Sequence, residues 1–137
     1  MTGVYAAGRG TAAAELDRIA LRGLRARGWH GVYAEERREG QEFVVDVVLG
    51  LDTAPAAAND ELAHTVHYGE LSQRLLGVVS GEPVQLIETL AERIARTCLA
   101  EPLVREVEVT VHKPEAPIPE VTFEDVSVTI RRPRFAP

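Results

Sequence analysis

The spacing of apolar residues changes twice along this chain, and this change limits the possible folds more than any other feature. Near both ends apolar and polar residues alternate, which is typical of half-buried β-strands. The alternating segments are residues 17–28, 41–52, 105–112 and 125–132. Between them the apolar residues recur every three or four positions, as in amphipathic helices, in residues 69–80 and 83–100. The predicted order is therefore strand, strand, helix, helix, strand, strand.

Two residues refine these predicted elements. Gly23 interrupts the weak alternation of the first strand, and an isolated glycine in a strand indicates a β-bulge. Pro83 is predicted to lie in the first turn of the second helix, where proline is favoured because its missing N–H is not needed.

Four strands and two helices in this order predict an α+β fold, in which a four-stranded antiparallel sheet carries both helices on one face. The other face, with Glu106, Glu108 and Thr110 from the third strand, is expected to meet solvent or a partner. Long edge strands in so small a sheet also invite pairing between subunits. We therefore expect a ring-shaped homo-oligomer.

The chain has 137 residues, which is enough for one hydrophobic core and too few for two. We predict one domain at residues 16–133. A loose extension rich in Gly and Ala is expected at residues 1–15, and a short tail at residues 134–137.

Charge and composition exclude several classes of partner. The formal net charge of −6 argues against nucleic acid, because duplex binding needs a basic surface. No segment approaches the roughly 20 apolar residues that would span a bilayer. Cys98 is the only cysteine, which excludes an internal disulfide and a cysteine-based metal site. We expect a cytoplasmic protein.

Lys113 is the only lysine among 15 Lys and Arg residues. It directly follows the third predicted strand, which ends at His112, and it is followed by Pro114, Pro117 and Pro119, which stiffen the chain after it. Lysine, with an unperturbed pKa of about 10.4, can be tuned into an acid/base catalyst, whereas arginine cannot. A surface lysine retained by chance in an arginine-rich chain is the alternative, and the spacing leaves both open.

Further polar residues cluster at the ends of predicted elements. Glu35 and Glu36 follow the first strand, Tyr68 precedes the first helix, and Glu88 lies in the first turn of the second helix, where the helix dipole favours a carboxylate. His64 and His67 are three residues apart, but they lack a third ligand. We therefore predict no metal site.

Five segments together resemble the dihydroneopterin aldolases of folate biosynthesis. They are LRGLRARGWHGVYAEE, GQEFVVDVVL, DTAPAAANDELAHTVHYGEL, LIETLAERIA and VTVHKPEAPIP, in the order and spacing of that family, and the similarity runs from about Asp17 to Arg132. The resemblance implies the tunnelling fold, with element order ββααββ and tetrameric rings that pair into homo-octamers.

The resemblance also implies catalytic residues. Lys113 matches the family's essential lysine, and Tyr68 in VHYGE matches its active-site tyrosine. Glu36, six residues after His30, matches the glutamate of the catalytic loop, with Glu35 as the neighbouring alternative.

Three more residues match positions that bind substrate in the family. Glu88 in LIE corresponds to the carboxylate that anchors the pterin, while Val66 and Ile87 fall where main-chain groups contact the ring. The small-molecule substrate implied is 7,8-dihydroneopterin, and its products are 6-hydroxymethyl-7,8-dihydropterin and glycolaldehyde. The implied aldolase reaction needs no cofactor, metal or Schiff base, because the pterin itself accepts the electrons.

Two alternative functions remain open. The first is an epimerase of dihydroneopterin or its triphosphate, since the same intermediate can be re-aldolised on its other face, and Arg37 and Arg38 do not decide between the substrates. The second is a non-catalytic module that binds a pterin or purine through Glu88. The presence of Lys113 together with Tyr68 argues against this second alternative.

Overall fold

The computed structural model describes residues 15–134. The predicted extension at residues 1–15 and the predicted tail at residues 134–137 therefore lie outside the described residues, except for Glu15 and Arg134.

Four strands and two long helices follow one another in the predicted order, with short helical segments added between them. The elements are β1 (Asp17–Gly28), α1 (Ala34–Glu39), β2 (Gln41–Leu51), α2 (Ala54–Asn59), a 3₁₀ turn (Leu62–His64), α3 (Tyr68–Val79), α4 (Ile87–Leu99), β3 (Glu106–Lys113) and β4 (Val126–Pro133). The helices α1 and α2 have six residues each, too few for a helical period to show in the sequence.

The four strands form one antiparallel sheet in the order β1-β2-β3-β4. On one face α3 packs against β1, and α4 packs against β3 and β4. The α+β fold with both helices on one face is confirmed. Because β1 and β4 are the outer strands, each leaves one edge without a strand partner within residues 15–134.

The core lies between this sheet face and the helices. Alternate residues of β2 and β3, from Phe43 to Leu51 and from Val107 to Val111, are 0–1% exposed. They meet buried residues of α3 and α4, among them Leu71, Leu75, Leu90 and Ile94. Burial of each such side chain stabilises the fold by roughly 1.5–3 kcal/mol. The opposite face carries the polar residues of the alternation.

The bulge predicted at Gly23 is confirmed. The register between β1 and β2 shifts between Leu21 and Leu24, and Gly23 has a φ of 75°, which favours glycine. Its backbone N–H, freed from the strand ladder, donates to a carboxylate oxygen of Asp46 at 2.7 Å.

The prediction that Pro83 lies in the first turn of the second helix is wrong, because α4 begins at Ile87. The backbone of Val84 explains the later start. Its N–H donates to Nδ1 of His30 at 3.0 Å, and its carbonyl accepts from the N–H of Gly31 at 2.9 Å. These bonds hold the connection between α3 and α4 against the loop after β1.

Within residues 15–134 no helix is long and apolar enough to cross a membrane.

Candidate active site

Lys113 is the last residue of β3 and projects from the same face as the core valines of that strand. The strand thus extends one residue beyond its predicted end at His112. The Lys113 side chain is 14% exposed, and its Nζ lies 2.6 Å from Oε2 of Glu36, whose side chain is 6% exposed. The structure therefore brings together two of the predicted catalytic residues. Glu35, the neighbouring alternative, is exposed.

Glu36 lies in the first turn of α1 and is held by three donors. Its Oε1 accepts the backbone N–H of Tyr33 at 3.2 Å, and its Oε2 accepts Nε2 of Gln41 at 3.1 Å as well as the Lys113 ammonium. Burial alone would raise the pKa of Glu36, but the hydrogen bonds from Lys113, Tyr33 and Gln41 outweigh it, so the pKa lies below its usual value. The carboxylate is held ionised beside the lysine.

The loop that carries Glu36 is anchored by a buried histidine. His30 is 1% exposed, and its Nδ1 accepts the N–H of Val84. The proton therefore sits on Nε2, which donates to the carbonyl of Val79 at 2.6 Å. Burial lowers the pKa of His30 and the Val79 bond only partly opposes it, so the ring stays neutral. His30 thus ties the catalytic loop to the end of α3.

Gly31 allows Glu36 to lie close to the loop backbone. A β-carbon at this position would fall 2.3 Å from Oε1 of Glu36, and the φ of 154° is one that residues with side chains rarely adopt. Glycine at residue 31 is therefore a requirement for the observed position of the Glu36 carboxylate.

Gln41 is a site residue that the sequence pattern does not indicate. It is 6% exposed and orients Glu36 through Nε2, while its Oε1 has no hydrogen-bond partner among the described residues. A cavity of about 280 Å³ opens beside it, lined by residues of α1 and of the segment after Lys113, including Tyr33, Glu115 and Pro117. Gln41 is the first residue of β2, a position that many residues with a purely structural role occupy. The sequence pattern therefore does not mark it as a site residue.

The other predicted site residues lie at the starts of the two long helices. Tyr68 is the first residue of α3 and is 61% exposed, and Glu88, in the first turn of α4, is also exposed. Ile87 is half-buried and Val66 is 1% exposed. Within residues 15–134, no hydrogen bond or ion pair joins Tyr68 or Glu88 to the Lys113–Glu36 pair.

The two histidines considered as metal ligands have other contacts. His64 Nδ1 lies 3.4 Å from the side-chain amide of Asn59, and His67 Nδ1 accepts the N–H of Glu70 at 3.1 Å as the N-cap of α3. In the described part of the chain, no group of three or more His, Cys, Asp or Glu side chains is arranged to hold a metal ion.

Comparisons with known proteins agree on one family. The family model FolB, dihydroneopterin aldolase, matches residues 19–131. The chain is 64% identical to the dihydroneopterin aldolase of Streptomyces coelicolor over 119 residues, which are 87% of this chain and 99% of the relative. It is 42% identical to that of Bacillus subtilis over 118 residues, 85% of this chain and 98% of the relative.

Solved structures show the same similarity. Escherichia coli dihydroneopterin aldolase, in complex with neopterin, matches with a TM-score of 0.78 and 27% identity, over 85% of this chain and 99% of that one. The dihydroneopterin aldolase of Burkholderia thailandensis, bound to guanine, matches with a TM-score of 0.69 and 28% identity, over 88% of this chain and 93% of that one.

Proposed function

The chain belongs to the dihydroneopterin aldolase family, and we propose that Lys113 and Glu36 form the acid/base centre of its reaction. The protein is a carbon–carbon lyase of folate biosynthesis. It cleaves 7,8-dihydroneopterin between carbons 1′ and 2′ of the side chain. The products are 6-hydroxymethyl-7,8-dihydropterin and glycolaldehyde.

The contact of 2.6 Å between Lys113 Nζ and Glu36 Oε2 is the observation that carries this assignment. Cleavage requires a group that takes the proton from the 2′ hydroxyl and a group that returns one to carbon 1′. A lysine can do both in turn, directly or through a water molecule. The carboxylate of Glu36, itself fixed by Tyr33 and Gln41, holds the lysine ammonium close to the cavity that Glu36 and Gln41 line.

The electrons of the broken bond have a destination in the substrate. As the 2′ oxygen loses its proton, the C1′–C2′ bond breaks and its electron pair enters the conjugated imine at N5 of the dihydropterin. The resulting enol-type intermediate then takes a proton at C1′. Because the ring accepts the electrons, the reaction requires neither a lysine Schiff base nor a metal ion, and Lys113 remains a proton carrier.

We assign the residues at the helix starts to substrate binding and to the second proton transfer. Glu88 accepts two N–H bonds from the 2-amino group and N3 of the pterin, a charge-assisted match to that edge. Main-chain groups of Val66 and Ile87 contact the ring. The exposed Tyr68 assists proton delivery to the intermediate.

We further propose a homo-octamer whose sites lie at subunit boundaries. The unpaired edges of β1 and β4 and the exposed positions of Tyr68 and Glu88 support it, since a neighbouring subunit can cover them. Light scattering at micromolar concentration tests this, and a fully active monomer would contradict it. The cytoplasm is the proposed compartment, since a chain with a single cysteine has no internal disulfide of the kind that oxidising compartments favour.

Incubation of the pure protein with 7,8-dihydroneopterin tests the function. Chromatography should show hydroxymethyldihydropterin as the main product. An epimer formed faster than this product would favour the epimerase alternative instead. Activity should survive exhaustive chelation and treatment with borohydride in the presence of substrate. Loss of activity with EDTA that zinc restores would overturn the metal-free mechanism.

A further inference from the structure

His112 precedes Lys113 and projects from the opposite face of the sheet, since neighbouring strand residues alternate in direction. Its imidazole lies between two carboxylates. Nδ1 is 2.6 Å from Oδ2 of Asp125, and Nε2 is 2.8 Å from Oδ2 of Asp46. The ring therefore connects β2 with the residue immediately before β4. The reaction described above makes no use of this cluster.

The two contacts determine the protonation state of the ring. An ionised carboxylate only accepts hydrogen bonds, so each ring nitrogen that faces one must carry a proton, and the ring is an imidazolium. Burial lowers the pKa of His112, but the hydrogen bonds to Asp46 and Asp125 outweigh it and the pKa is raised. The residues paired with His112 on the adjacent strands, Val44 and Ser127, are uncharged.

Asp46 extends the cluster across the whole sheet. Its other oxygen accepts the N–H of Gly23 at the bulge of β1. Burial raises the pKa of Asp46. The hydrogen bonds from His112 and Gly23 and the charge of Arg22 lower this pKa by a larger amount, so the net shift is downward. One carboxylate thus links the bulged edge strand to the strand that carries the catalytic lysine.

The cluster lies where the position of Lys113 is least secured by the strand ladder. Lys113 and Val126 form the last pair between β3 and β4, and the chain leaves the sheet between them as a loop of residues 114–125. Ends of strand ladders open more readily than their centres. Asp125 is the last residue of this loop, so its bond to His112 closes the loop at its base.

We propose that His112, held as an imidazolium between Asp46 and Asp125, is a positioning residue that keeps Lys113 against Glu36. This inference rests on the acid/base role proposed for Lys113. His112 does not reach the substrate side of the sheet. It fixes the end of β3 from the sheet face that the helices do not cover, so that the backbone of Lys113 holds one position during proton transfer.

Three variants test the proposal. His112→Gln removes the charge, and Asp125→Asn removes one carboxylate at nearly constant volume. Thr110→Val is the matched control, because Thr110 and Thr129 form a hydrogen bond of 2.8 Å on the same face and between the same strands. Misplacement of a catalytic group by about 1 Å can cost 10²-fold in rate, so kcat should fall about 10- to 100-fold in the first two variants and stay unchanged in the control. Pterin affinity should change little in all three.

The pH dependence separates positioning from a merely structural role. The pKa of His112 is higher in the folded state than in the unfolded state. Its stabilising contribution is therefore complete below the unfolded pKa of about 6.5, and it is lost as pH rises through the pKa of the folded state. Asp125→Asn lowers that folded value, so the alkaline loss of kcat should move to lower pH. The His112 ring signal, assigned by its absence in His112→Gln, should titrate above that of an unperturbed histidine.

A measurement without substrate distinguishes this inference from the proposed function. Lys113 is the only lysine, so protein labelled with ¹³C-lysine gives one assigned side-chain signal. That signal should shift in His112→Gln and Asp125→Asn and stay in place in Thr110→Val. If the wild type does not cleave dihydroneopterin, the proposed function fails and the lysine signal still decides the positioning role. An unmoved lysine signal, or wild-type kcat with an unmoved pH profile in both variants, overturns the inference.

Discussion

Two parts of the candidate site differ in how far a single chain buries them. One is the Lys113–Glu36 pair, and the other is formed by the residues at the starts of α3 and α4. Lys113 and Glu36 are almost covered, lie 2.6 Å apart and are braced by Tyr33 and Gln41. Tyr68 and Glu88, in contrast, are exposed at their helix starts. The chain builds the proton-transfer centre in advance and leaves the pterin-binding surface open.

This difference follows from what each half must do. Proton transfer depends on a fixed distance, and a buried ion pair with additional hydrogen bonds holds its groups in place before substrate arrives. Pterin binding requires a surface that the ring can reach, and the Glu88 carboxylate stays hydrated until the ligand replaces that water. Changes in the covered half should therefore affect turnover and stability, whereas a change at Glu88 in the open half should affect binding alone.

The largest effect is expected from Lys113→Arg. Arginine keeps the charge and can still pair with Glu36, so fold and pterin affinity should remain near wild type. A guanidinium with a pKa above about 12 cannot exchange its proton near neutral pH, so kcat should fall by about 10² to 10⁴, the usual contribution of one acid/base group. Product formation and pterin affinity are measured separately. A variant that keeps a third of wild-type turnover would show that Lys113 is not the proton carrier.

Glu36→Gln should lower both kcat and the free energy of unfolding. Breaking a buried ion pair costs about 3–5 kcal/mol, and the 14% exposure of Lys113 places this pair at the low end. The pKa of Glu36 is lowered, so its contribution is present above the unfolded pKa of about 4.3 and is lost as pH falls through the folded value. Denaturant unfolding at fixed protein concentration should show the difference between the two proteins shrinking below pH 4.5. A difference that is constant from pH 7 to pH 3 would contradict the pairing.

Gly31→Ala tests how closely Glu36 must be held. The added β-carbon would lie 2.3 Å from Oε1, so the carboxylate must move, and the backbone at a φ of 154° becomes strained. Strain of this kind costs about 1–3 kcal/mol, and kcat should fall less than in Glu36→Gln because the charge remains.

Gly77→Ala is the matched control for Gly31→Ala. A β-carbon at Gly77, an exposed position inside α3, meets no atom within 4 Å. Alanine there should stabilise by roughly 0.5–1 kcal/mol without changing kcat. Equal kcat losses in the two variants would show that the effect at Gly31 is not specific to the Glu36 contact.

The sequence predicts the fold because each long element carries its own periodicity. It predicts Gly23 as a bulge for the same reason, since one glycine breaks a local alternation. It does not predict the start of α4, because Val84 is hydrogen-bonded to His30 and Gly31, which are more than 50 residues away. Gln41 is equally hidden, since its role depends on where α1 places Glu36 in space. Contacts between distant segments leave no local pattern.

Glu88→Gln should give the smallest effect and should act in the open half alone. The variant keeps a neutral acceptor for the pterin edge but loses the charge, and the difference between charged and neutral hydrogen bonds is about 1 kcal/mol or slightly more. Pterin affinity should therefore fall roughly tenfold, since 1.4 kcal/mol corresponds to a factor of ten, with little change in kcat.

A second carboxylate on α4 provides the control for Glu88→Gln. Glu92 lies one turn further along the helix and pairs with Arg132 at 2.5 Å on the surface. Glu92→Gln makes the same change of charge, and it should leave pterin affinity unchanged and alter stability by less than about 1 kcal/mol. Because Glu88 is exposed and has no ion pair among residues 15–134, Glu88→Gln should also keep wild-type stability. If kcat falls a hundredfold while affinity holds, Glu88 belongs with Lys113 and Glu36, and the division between a proton-transfer half and a binding half is wrong.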